Sequence, residues 1–137
     1  MTVPGVVVAV DVGTVRVGVA ASDPHRVLAS PVETVAAPGH DRVLELLGER
    51  EAVLVVVGLP TSLSGAARSA SADMARAWAA ELVARTAVPV ELVDERLTTV
   101  TASAALRAAG RKGRAARQVI DQAAAVALLQ GVLDRPR

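Results

Sequence analysis

The chain has 137 residues, 52% of them apolar, with a formal net charge of +1. That is enough apolar material for one domain with its own core. It contains no cysteine, which excludes a disulfide framework and a thiolate metal site and fits a reducing compartment.

The first stretch, VVVAVDVGTVRVGVAAS (residues 6–22), reads as two strands, 5–11 and 15–22, joined at a turn containing Gly13. Asp11 interrupts the first apolar run. A buried carboxylate without a partner is costly, so this position needs a hydrogen bond, an ion pair or a cation. The same interruption, with no basic flank and no small-residue cleavage site, argues against a signal peptide. A third β-rich piece is expected around 27–35. DRVLELLGERE (41–51) carries a short helical pattern and leads into AVLVVVG (52–58), a run of buried-strand length. The longest uncharged run, 52–67, contains Pro60 and is too short to cross a bilayer. TSLSGAARSAS then supplies a hydroxyl-rich loop before an alanine-rich helix expected over 70–85. PVELVD (89–94) reads as a further inner strand. The remainder reads as two helices joined at Gly110 to Gly113. The order is β-β-β-α-β-α-β-α-α, an α/β fold with an antiparallel meander at its start and crossover helices after it.

Charge is unevenly placed. Six of the 15 basic residues (Arg96, Arg107, Arg111, Lys112, Arg114 and Arg117) fall between 96 and 120, where no acidic residue occurs. A solvated helix pair would account for them; contact with a polyanion accounts for them better. Modules that read unpaired bases stack them on aromatic rings, and this chain has one Trp and no Phe or Tyr. Recognition of backbone shape and phosphate is the expectation.

Carboxylates stand at three places where apolar packing is expected. Asp11 lies in the first strand. Asp94 and Glu95 close PVELVDER, at the carboxyl end where open α/β sheets place functional groups. Asp121 in QVIDQAAAVALLQ has apolar neighbours at helical spacing, Ala124, Ala125 and Leu128. Singly, each has an ordinary explanation as a turn, a cap or a helix-dipole contact. As a set they repel one another unless a divalent cation neutralises them, and without nearby His or Cys an all-oxygen Mg²⁺ or Mn²⁺ site is the natural type.

DVGTVRVGVA, VVVGLP, VDERLTT and DQAAAVALL, in this order and spacing, resemble the motifs of the YqgF/RuvX family. That family is described as pre-16S rRNA nucleases or Holliday junction resolvase-like proteins. The resemblance covers about residues 6–133 and implies a single domain over 1–137 with a ribonuclease H-like mixed five-stranded sheet and flanking helices. It implies that Asp11, Glu95 and Asp121 are the catalytic, metal-binding triad of a hydrolase. Two Mg²⁺ ions about 4 Å apart would activate water and stabilise the leaving 3′ oxygen, with Asp94 supporting the strand end. Val15 departs from the family pattern, in which many members carry a basic residue there.

Arg16, Arg96 and the basic group from Arg107 to Arg117 are the candidate nucleic-acid contacts, for an rRNA precursor or branched DNA. Thr61, Ser62 and Ser64 are weaker candidates, better read as caps of the next helix. Gly13 and Thr14 fit a phosphate-approaching turn and a plain hairpin turn equally. His25 and His40 are expected in polar loops without a role, and Trp78 against the sheet. A cytoplasmic monomer or homodimer without membrane attachment is expected. Two other readings compete: a kinase-like phosphate binder, which would need a second domain, and a non-catalytic ribosome-assembly module, which has no use for clustered acids near phosphate.

Overall fold

The computed structural model describes residues 5–60, 70–95 and 114–135, with only the backbone described over 114–121. Five strands form one sheet: β1 (Val6–Val12), β2 (Arg16–Ser22), β3 (Ala29–Ala36), β4 (Ala52–Leu59) and β5 (Val90–Asp94). Three helices are described: α1 (His40–Glu49), α2 (Ala70–Arg85) and α3 (Arg114–Leu133). The first of the two helices expected near the C-terminus, with its Gly110 to Gly113 junction, lies outside the described residues.

The strand order is β3-β2-β1-β4-β5. β1 runs antiparallel to β2, and β2 antiparallel to β3, which gives the expected meander. β4 lies parallel to β1, and β5 parallel to β4. The carboxyl ends of β1, β4 and β5 therefore meet at one edge of the sheet. Helices cover both faces, so inner strands are apolar on both sides and do not alternate: Val7, Val8, Ala9 and Val10 are each buried to 1% exposure or less.

The two faces bury different side chains. On one, Val8, Val10, Val17, Val19, Val55 and Val57 pack against Val43, Leu46 and Leu47 of α1 and Trp78, Ala79 and Leu82 of α2. On the other, Val7, Ala9, Ala20, Val56 and Val93 pack against Ala125, Leu128 and Leu129 of α3. Each helix buries a stripe at three- and four-residue spacing, such as Ala72, Ala75, Trp78, Ala79 and Leu82 in α2.

Trp78 meets the sheet as expected, but His40 does not sit in a polar loop. It opens α1, is only 6% exposed, and stacks on Trp78 with ring centroids 4.4 Å apart. Its Nε2 donates to the Trp78 carbonyl at 3.1 Å, and its Nδ1 lies 3.0 Å from Glu81 Oε2 without good hydrogen-bond alignment. A polar-looking sequence context conceals this because the partners are 38 or more residues away. His25 does lie in an exposed loop, where its N–H donates to Asp23 Oδ2.

Candidate carboxylate site at the strand ends

Asp11 is the penultimate residue of β1, and its partner across the antiparallel pair is Gly18 of β2. Because side chains alternate along a strand, Asp11 faces the same way as Val7 and Ala9, toward α3. Glu95, in the turn directly after β5, reaches the same face, where its side chain lies against Gly58. Arg16, two residues before Gly18, lies on that face as well. Asp11, Arg16, Asp94 and Glu95 are all half-buried. The strand thus holds Asp11 beside solvent and not in the deep interior.

Asp11 and Glu95 meet. Their carboxyl groups share a hydrogen bond, which requires a proton on one of them. Burial, the hydrogen bond to Asp11 and the charges of Asp11 and Asp94, in that order, push the Glu95 carboxyl up to about 8. Such a group gives up its proton readily only when a cation or other positive charge replaces it. Between the two acids lies Gly58, in the VVVGLP motif at the end of β4. A Cβ at Gly58 would come within 2.2 Å of Glu95 Oε1.

α3 is fixed along the sheet by polar contacts as well as apolar ones, Gln122 at the carboxylate end and Gln130 at the opposite end. Gln122 Nε2 donates to Thr34 Oγ1 at 2.9 Å. Gln130 Oε1 accepts from the Ala29 N–H at 2.9 Å, while its Nε2 donates to the Val27 carbonyl at 3.1 Å and Asp134 Oδ1 at 3.0 Å. These glutamines were not singled out from the sequence, and neither was Gly58. Their spacing of eight along an alanine-rich helix was the available signal for the glutamines, since i and i+8 share a face.

The backbone of α3 carries Asp121 one turn before Ala125, the first fully buried residue of its sheet-facing stripe. The Asp121 side chain lies outside what is described. Among the described residues no group of three His, Asp or Glu side chains is placed to hold a metal ion. Arg114 and Arg117 begin the same helix, their side chains likewise undescribed, and Arg96, Arg107, Arg111, Lys112, Thr61, Ser62 and Ser64 fall outside the described residues.

The Gly13 N–H donates to the Arg16 carbonyl at 2.9 Å, and a Cβ at Gly13 would stand 2.5 Å from that oxygen. A tight hairpin turn is therefore sufficient reason for glycine there. An open groove beside this turn, lined by Thr14, Pro38, His40, Met74, Trp78 and Glu81, contains neither Asp11 nor Glu95.

The RuvX family, described as Holliday junction resolvase, matches residues 5–135. The chain belongs to the RuvX family. A relative from Leifsonia xyli named "Putative pre-16S rRNA nuclease" is 47% identical over 97% of this chain and 88% of its own. One of the same name from Streptomyces coelicolor is 53% identical over 94% of this chain and 80% of its own. Among solved structures, Thermus thermophilus RuvC in complex with a Holliday junction substrate matches with a TM-score of 0.62 at 18% identity, covering 93% of this chain and 91% of that one. A further Thermus thermophilus RuvC structure gives a TM-score of 0.57 at 18% identity, over 92% of each chain. This RuvX chain thus has the ribonuclease H-like fold of RuvC, as its sequence motifs imply.

Proposed function

We propose that this RuvX-family protein is a divalent-metal-dependent nuclease that hydrolyses phosphodiester bonds of structured nucleic acid, and that it processes the 5′ end of pre-16S rRNA in the cytoplasm. The observation that carries this reading is the meeting of Asp11 and Glu95 at adjoining strand ends, at the cost of a strongly raised Glu95 carboxyl. Nothing in packing calls for two half-buried acids in contact. A hard cation with oxygen ligands does, and the donor set fits one.

Asp11 and Glu95 would hold the cation, Mg²⁺ or Mn²⁺, with Asp121 as the third carboxylate from α3. When bound there, such a cation supplies Lewis acidity toward a phosphodiester and an activated water. The chain's own part is placement. β1 fixes Asp11 within a strand hydrogen-bonded on both sides, Glu95 would give up its proton to hold the cation, and Asp94 adds negative potential at the strand end. Arg16, on the face of Asp11, would meet a phosphate. Arg96, Arg107, Arg111, Lys112, Arg114 and Arg117 would extend that contact along the backbone, as six cations in a segment without acids suit.

The family description supports a second reading, cleavage of four-way DNA junctions. The substrates are separated by incubating the protein and an Asp11→Asn variant with a labelled pre-16S rRNA 5′ region and a labelled four-way junction, each with Mg²⁺, Mn²⁺ or EDTA. Cleavage of the RNA that needs both metal and Asp11 is expected. Cleavage of the junction alone would establish the second reading, and binding without metal-dependent cleavage of either would leave a non-catalytic assembly factor.

A further inference from the structure

β1 and β5 are not neighbours; β4 lies between them. With adjacent strands about 4.8 Å apart, the backbones that carry Asp11 and Glu95 are separated by about twice that, so their carboxyl groups can meet only by passing over β4. The β4 residue at that crossing is Gly58. It pairs in register with Val93, and by alternation it faces α3 together with Leu54 and Val56. A Cβ built on it would stand 2.2 Å from Glu95 Oε1, 2.9 Å from Cδ and 3.0 Å from Cγ. All three of those contacts are to the Glu95 side chain, none to backbone.

From this geometry we propose that Gly58 is a positioning residue: its missing side chain is the passage through which Glu95 reaches Asp11, and any side chain there separates the two acids. The consequence for metal binding rests on the nuclease reading; the consequence for Glu95 does not. Gly58 does not adopt a positive φ. Alanine is therefore compatible with its backbone and suits a strand interior better than glycine does. The Glu95 side chain is the part that must yield, since it can rotate and the strand cannot.

The test compares Gly58→Ala, Glu95→Ala and the double variant with the wild type in three ways: crystal structures without metal, thermal melting, and Mn²⁺ binding followed by electron paramagnetic resonance. The expected Gly58→Ala protein melts no lower than the wild type, has its Glu95 carboxyl turned away from Asp11, and binds Mn²⁺ at least about tenfold more weakly, the low end of what disturbing a ligand's support usually costs. The double variant should bind no more weakly than Glu95→Ala alone, because a residue acting only through Glu95 has nothing left to lose.

A Gly58→Ala structure with Glu95 still against Asp11, or losses that add in the double variant, would overturn the proposal. So would a melting temperature well below wild type in both Gly58→Ala and the double variant, which would place the role of Gly58 in the strand. Restoration of that temperature by removing Glu95 would instead support it. Wild-type protein that binds no Mn²⁺ would sink the metal reading, while the crystal structures would still decide whether Gly58 sets the reach of Glu95.

Discussion

The two faces of the sheet solve different problems with the same five strands. Toward α1 and α2, valines from β1, β2 and β4 meet Leu46, Leu82 and the stacked Trp78–His40 pair in a continuous apolar core. Toward α3, the strands present smaller residues, Ala9, Ala20, Gly18 and Gly58, and at the carboxyl ends the freed space holds carboxyl groups. The first face is built for stability. The second gives up packing to bring like charges together, as functional sites commonly do.

If the faces divide labour in this way, substitutions should separate activity from stability. The largest effect is expected at Asp11: Asp11→Asn should lower metal-dependent cleavage in single-turnover assays by at least about 100-fold, more than the loss of a supporting group outside the ligand set. In EDTA at neutral pH the same variant should melt at or above the wild type, because the Asn amide can donate to Glu95 and relieves the pair of the need for a shared proton. Leu82→Ala should do the reverse. Leu82 is fully buried on the α2 face, and its truncation is expected to cost about 2–5 kcal/mol in denaturant unfolding, with unchanged metal affinity in the folded protein. Gln130→Ala tests what seats α3. It loses the bond that satisfies the Ala29 N–H, so a decrease of about 1 kcal/mol is expected by the same unfolding measurement.

The smallest expected effect is a slope with pH. The folded-state Glu95 value of about 8 lies above its ordinary 4.5. The native state therefore holds this proton more tightly than the unfolded state does. The resulting stabilisation is fully present below about pH 4.5 and is lost as pH rises through about 8. Metal-free protein should melt progressively lower over that interval, and Glu95→Gln should flatten its contribution to the slope.

Much of this division was legible in the sequence. Apolar runs of strand length located β1, β2, β4 and β5, the helical pattern of 41–51 located α1, and alanine richness behind a hydroxyl-rich loop placed α2 over the residues it occupies. Asp11 and Glu95 stood out as acids at the ends of apolar runs. That they come together was expected from the set and the family resemblance; that they do so across an intervening strand was not, since this depends on the strand order, which puts β4 between β1 and β5. Gly58 was hidden for the same reason: in VVVGLP it reads as the end of a strand, and only the neighbouring strand shows what its missing side chain makes room for. His40 was misread because its burial comes from Trp78 on another helix. The glutamines of α3 look like solvated breaks in an alanine-rich helix until the β2–β3 region supplies their partners.

The most direct test of the carboxylate pair as a metal site is calorimetric titration of Mn²⁺ into the wild type, Asp11→Asn and Glu95→Gln at neutral pH. Binding to the wild type with release of a proton, weakened at least about tenfold in each variant, is the expected result, since a ligand must shed its proton to coordinate. Equal affinity in all three proteins, or no binding to the wild type, would contradict it.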